Sequence, residues 1–209
     1  MRGGEPLAAV RRQTPAIAAR FLLAVLLLGT VFINQQDRLI KGSLPGIAVY
    51  LDAVDDTFRT LSLRLVETGG ERLIERRATP ARSHVVGASV IYPDSRTVVT
   101  ASLAPGLLFL PLVIGIPLVV AWPWRTLRQL ALRIAIAAPL LLLVVLADAP
   151  LLLYALLWKL ELDAVAPEQH SLLLSWTDFM NAGGRYALAA GVAAFSIRIS
   201  SYRERPCPP

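Results

Sequence analysis

The chain has 209 residues, 55% of them hydrophobic and 17% charged, against about 25% charged in an ordinary soluble domain. Most of the apolar residues fall in long runs, which excludes a large soluble enzyme and makes a membrane protein the first expectation. The single cysteine, Cys207, excludes an internal disulfide and a CxxC pair, and with only His84 and His170 besides no multi-cysteine or multi-histidine metal centre is expected.

The first apolar run extends over 17–34, provided that Arg20 snorkels toward the headgroups. Arg2, Arg11, Arg12 and Arg20 precede or open it, and Asn34, Gln35 and Gln36 follow it without a small-residue cleavage site, so an uncleaved signal anchor is expected. The second run, 103–124, carries no charge but holds Pro105, Pro111, Pro117 and Pro123, and so predicts a kinked span whose freed carbonyls need neighbouring groups. A third run, 134–158, holds one charge, Asp148, between Pro139 and Pro150. The fourth, 182–199, is weaker, with Arg185 and Arg198 near its ends.

Charge orients these four spans. Residues 1–20 hold four Arg and one Glu, the 122–133 linker three Arg and no acid, and the tail from Arg198 three Arg and one Glu. All three are expected in the cytoplasm by the positive-inside rule, whereas 159–181, with Lys159 against Glu161, Asp163, Glu168 and Asp178, belongs on the other side. Both termini are then cytoplasmic: 1–16 and the 200–209 tail lie inside, with a short inner loop at 125–133. The +6 net charge reads as a topology signal, and no nucleic-acid partner is expected.

The segment 35–102 is the only stretch long enough for a water-soluble unit. After Pro45, the residues Ile47, Leu51, Val54, Phe58, Leu61 and Leu65 recur at steps of three and four, which predicts an amphipathic helix ended by Gly69 and Gly70, with Asp55 and Arg59 facing each other four apart. Glu71 to Ala78 reads as a helical turn at the membrane surface, closed by Pro80. Val85–Tyr92 and Arg96–Ser102, rich in Val, Ile, Thr and Tyr around Pro93, Asp94 and Ser95, predict a β-hairpin. Its Val86, Val90, Tyr92 and Val98 are candidate docking residues, since exposed strands recruit partners; a folded connector is the equal alternative.

Asp148 is the one acid inside an apolar run and needs a buried partner. Arg185 lies at a matching depth if the fourth helix starts near Trp176 and rises about 1.5 Å per residue, so a buried Asp148 to Arg185 pair is expected, with Asp178 as a competing acid. Gly183, Ala187 and Gly191 form a small-residue face able to admit another helix, of this chain or of another protein. Trp122, Trp124, Trp158, Trp176 and Tyr186 fit aromatic belts at the headgroups. His170 beside Glu168 and Ser171 lacks a third group for a triad, and His84 has no stronger case. Cys207, between prolines, is a palmitoylation candidate or a free thiol.

The block Ser175-Trp-Thr-Asp-Phe-Met-Asn-Ala-Gly-Gly-Arg185, leading into a small-residue helix, together with the proline-rich second span after a strand, resembles the exosortase-associated integral membrane proteins, especially the exosortase H-associated type. The resemblance covers the layout of most of the chain; the local match is the Asn181-Ala-Gly-Gly-Arg185 stretch. It implies an accessory protein of a bacterial system that sorts surface proteins at the inner membrane, with an exosortase as partner and no peptidase activity of its own, because no Cys lies in any span. The expected fold is all-α, with four transmembrane helices and a small α+β extracytoplasmic insert between the first two. The expected function is a non-catalytic accessory or assembly subunit in the bilayer, with no cofactor. The rivals are a membrane sensor whose insert binds a ligand or peptide, and a small transporter using Asp148.

Overall fold

The helix that carries the apolar run 17–34 continues beyond it, through Pro45 and Gly46, to Val54. In the computed structural model, which describes residues 5–86, 89–94 and 96–202, α1 runs unbroken from Glu5 to Val54. A small antiparallel sheet region follows: β1 (Phe58–Thr68), β2 (Glu71–Pro80), β3 (His84–Val86), β4 (Ser89–Ile91) and β5 (Val99–Leu103). The rest is helical: α2 (Pro105–Ala121), α3 (Leu127–Val165), α4 (Leu172–Phe179), a wide π-type turn at Met180–Gly184, and α5 (Arg185–Tyr202). The protein is thus mostly helical with a small sheet. Among the described residues two helices, α1 and α3, are long and apolar enough to cross a membrane, since about 20 apolar residues suffice; α2 is a shorter apolar helix.

Three expectations for the insert are corrected. The amphipathic helix stops at Val54, and Phe58, Leu61 and Leu65 belong to β1. The same residues also satisfy a period of two (Leu61, Leu63, Leu65), and pairing with β2 selects that period over the helical one. Glu71 to Ala78 is strand β2, not a helical turn. Gly69 and Gly70, at φ of 62° and 81°, form the two-residue turn joining the strands, with Thr68 opposite Glu71; positive φ at both positions is the hairpin geometry that glycine makes accessible. The expected hairpin of Val85–Tyr92 with Arg96–Ser102 is also absent. β3 pairs with β4, Val85 opposite Val90, and β5 pairs with β2, giving the order β1-β2-β5. Asp94 does make a turn, its carboxylate accepting from Arg96 N and Thr97 Oγ1. The chain leaving that turn finds the longer partner, β2.

The chain divides into two compact units. One comprises Met1–Gln35, Leu110–Leu143 and Tyr186–Pro209. Its core is Val119, Ala137, Leu141, Ala189 and Ala193, and small residues permit close helix approach: a Cβ on Gly115 would lie 2.7 Å from Leu141 Cδ1. Arg133, buried at the base of this core, donates from Nε to Ser200 Oγ at 2.9 Å and from Nη1 to the Trp122 and Pro123 carbonyls at 3.3 and 3.1 Å. Those carbonyls lie just past the end of α2, where acceptors lack intrahelical donors. Thr126 Oγ1 accepts from Gln129 N at the start of α3, as an N-cap does.

The other unit comprises Gln36–Phe109 and Val144–Arg185. Alternate residues of β2 (Ile74, Arg76, Ala78) and of β5 (Ala101, Leu103) are buried, as are Ile47 and Leu51 of α1 and Val145, Ala149, Leu152 and Leu153 of α3. Gly46 approaches Leu146 so closely that a Cβ there would be at 3.4 Å from Leu146 Cδ2.

Candidate functional site, a set of buried ion pairs

Four residues of the Asn181 to Arg185 stretch, Asn181, Gly183, Gly184 and Arg185, have a physical task. Gly183 sits at φ 126°, ψ −1°, outside helical geometry, and separates α4 from α5; a side chain at that φ is strained, so glycine is required there. Gly184 lies under Phe179: a Cβ on it would be 2.6 Å from the Phe179 ring and 2.9 Å from the Phe179 carbonyl. With the turn so fixed, Arg185 Nε donates to Asp148 Oδ2 at 2.7 Å and Nη1 donates to Asn181 Oδ1 at 2.8 Å. The side chains of Arg185 and Asp148 are 3% and 4% exposed, so each charge depends on the other for its solvation. Nη2 of Arg185 has no acceptor among the described residues.

The structure therefore brings Asp148 and Arg185 together, along a route different from the straight helix from Trp176 that a uniform rise assumes: the kink at Gly183 intervenes. Asp178 is exposed and makes no ion pair with Arg185 among the described residues. The wide turn is of the kind often found at functional positions in helices; here its effect is to aim a guanidinium at an acid on α3.

Two further charged arrangements lie in the same unit. Asp55 ends α1 and starts β1: its Oδ1 accepts from Thr57 N and Phe58 N, both at 3.0 Å, and its Oδ2 is 2.7 Å from Arg76 Nη2, with both side chains at most 1% exposed. Arg76 also donates from Nε to Thr60 Oγ1 and from Nη2 to the Phe58 carbonyl. Asp55 is thus not the partner of Arg59, because strand pairing carries Arg59 to Thr79 and presents Arg76 instead. The other is His84, whose Nε2 lies 2.6 Å from Glu161 Oε2 and whose Nδ1 lies 3.1 Å from the Arg82 carbonyl. Its ring stacks at a tilt 5.7 Å from Trp158, edge-on 6.1 Å from Phe58, and Tyr154 completes the aromatic group. Sequence reading missed both, since the partners are separated by 21 and 77 positions; the available signal was that buried charges must be paired.

No protein-family model, curated protein or solved structure matches this chain. Its function is read from its own residues.

The docking residues are not brought together as one hairpin face. Val86 is buried, while Val90 and Tyr92 are exposed with Val85 on the β3 to β4 pair, and Val98 precedes β5. The three small residues do not pack within the described residues. The packed side of α5 is Ala189, Ala193, Ser196 and Ser200, Gly183 is at the kink, and Ala187 and Gly191 face outward, with nothing within 4 Å of a Cβ on Gly191. His170 and Glu168 are exposed. Among the described residues no group of three His, Cys, Asp or Glu side chains is placed to hold a metal ion. Arg2, Arg203, Arg205, Cys207 and Ser95, and the side chains of Arg11 and Arg12, lie outside the described residues.

Proposed function

We propose that the chain is a non-catalytic accessory or assembly subunit of a bacterial inner-membrane envelope complex, exosortase-type protein sorting being the system the resemblance implies. In this reading α1, α2, α3 and α5 are four spans, both termini are cytoplasmic, and the sheet lies outside the cytoplasm. The observation that carries it is the state of α1: none of its most apolar 18-residue window is buried within the chain. Such a surface must be covered by lipid or by another membrane helix. The outward Ala187 and Gly191 of α5 add a second face suited to close helix contact.

The transporter reading is less well supported, because Asp148 is already held by Arg185, and a proton route usually needs further titratable groups along the span. The deciding experiment is mild-detergent purification of the tagged protein from its native host, with mass spectrometry of what accompanies it. A stoichiometric membrane protease or secretion component supports the accessory reading; a monodisperse, unaccompanied protein at native expression removes its main support. For the transporter rival, Asp148→Asn would abolish transport at unchanged protein level, whereas a structural pair gives loss of folded protein.

A further inference from the structure

The three-stranded sheet ends on one side at β5, which pairs only with β2. No other backbone hydrogen bond to Val99–Leu103 is made among the described residues. Val-Thr-Ala-Ser-Leu contains no charge and no proline, two of the devices by which edge strands discourage pairing; its shortness, five residues, is a third and is the one present here. The opposite edge, β1, differs: it carries Arg59 and Arg64 and an irregularity between Thr60 and Ser62. Beside β5 lies an open cleft of about 270 Å³, lined by Thr100, Ala101 and Ser102 on one side and by Leu156, Lys159, Leu160 and Asp163 of α3 on the other. A free edge facing a helix across an open cleft is an arrangement that accepts an added strand.

We infer that this cleft binds an extended segment of another membrane-anchored polypeptide, which pairs with the free edge of β5 and sets an acidic and a basic side chain, two residues apart, against Lys159 and Asp163. Main-chain groups supply the pairing, and the spacing supplies the charge rule. Lys159 and Asp163 are exposed, four positions apart on α3, and neither makes an ion pair among the described residues. Four helical residues rise about 6 Å, and two strand residues about 6.6 Å, so one peptide presents alternate side chains to both. The cleft runs from two residues before Trp158 to five after it, where the apolar stretch of α3 gives way to Lys159, Glu161 and Asp163. That level is the bilayer surface on the four-span reading, on which the membrane-anchored nature of the partner rests.

The test uses the full-length protein in lipid nanodiscs, with insertion scored first by co-elution with the disc, so that failure of the membrane reading is separate from failure of docking. The probes are fluorescent heptapeptides Thr-Val-Glu-Val-Lys-Val-Thr, Thr-Val-Glu-Val-Glu-Val-Thr and Thr-Val-Lys-Val-Lys-Val-Thr, with two N-methylated forms of the first that block alternate sets of amides. The mixed-charge peptide is expected to bind about three- to tenfold tighter than either like-charged one, in line with exposed ion pairs. One N-methylated form retains binding and the other loses it, because only one set of amides faces β5. K159E, a change at an exposed position, shifts the preference to the peptide with two lysines. Equal binding of all three peptides, or both N-methylated forms behaving alike, would overturn the proposal. So would slow hydrogen exchange at Thr100 to Ser102 without peptide that is lost on dilution, which would make a second copy the occupant.

Discussion

Arg133 and Arg185 are both buried, at 2% and 3% exposure, one in each compact unit, and they are satisfied in different ways. Arg133 donates to a hydroxyl and to two main-chain carbonyls just past the end of α2. Arg185 is matched to a carboxylate and an amide oxygen, and Arg76 in the same unit is likewise matched to Asp55. Carbonyls just past a helix end lack intrahelical donors, and the C-terminal dipole favours a cation beside them. A cation paired with an acid is neutral as a unit, which is what an apolar interior requires.

That contrast can be broken first at its strongest point. Asp148→Ala leaves a guanidinium buried without its acid, an effect of about 3–5 kcal/mol, and is expected to remove most of the folded protein seen by fluorescence size-exclusion in detergent. The double variant with Arg185→Ala recovers part of it, and a double variant no better than the single one would show that the pair is not the unit. Arg133→Met should cost about 1.5–3 kcal/mol for its charge-assisted bonds, because the Trp122 and Pro123 carbonyls it frees belong to exposed residues that water reaches. Thermal unfolding of the two variants side by side gives the ranking, and a larger loss for Arg133→Met would reverse the comparison.

Packing sharpens it next. Gly115→Ala drives a methyl into Leu141 and should cost about 1–3 kcal/mol as overpacking. Gly191→Ala, with open space around it, should lie within about 0.5 kcal/mol in the isolated protein. Were Gly191→Ala to weaken recovery of a co-purifying partner while leaving the melting temperature unchanged, the outward face of α5 would be the contact. The smallest effect is expected at Arg82→Ala. Its 3.2 Å pair with Asp56 is largely exposed, so the change in stability should be near zero, roughly 0–1 kcal/mol, and should vanish in high salt.

Much of the helical layout was legible because long apolar runs admit few alternatives, and the Asp148 to Arg185 pair was legible because one acid in an apolar run needs a partner. The insert was not. Ile47, Leu51, Phe58, Leu61 and Leu65 fit a helical period, and that period holds as far as Val54; beyond it the alternation of Leu61, Leu63 and Leu65 competes, and a strand exists only if a partner strand is present. The Gly69-Gly70 pair was a hairpin signal of the accepted kind, read instead as a helix end.

The sequence by itself determined where the chain is too apolar for water, which loops carry the positive charge, and that Asp148 could not stand alone, because hydrophobicity and charge are properties of each residue wherever it lies. Tertiary structure decided what meets what: that β5 joins β2 and leaves an edge, that Arg76 takes Asp55, that His84 reaches Glu161, and that Gly183 bends the chain so that Arg185 points at its acid. Those outcomes depend on pairings between distant segments, whose free energy no local pattern contains.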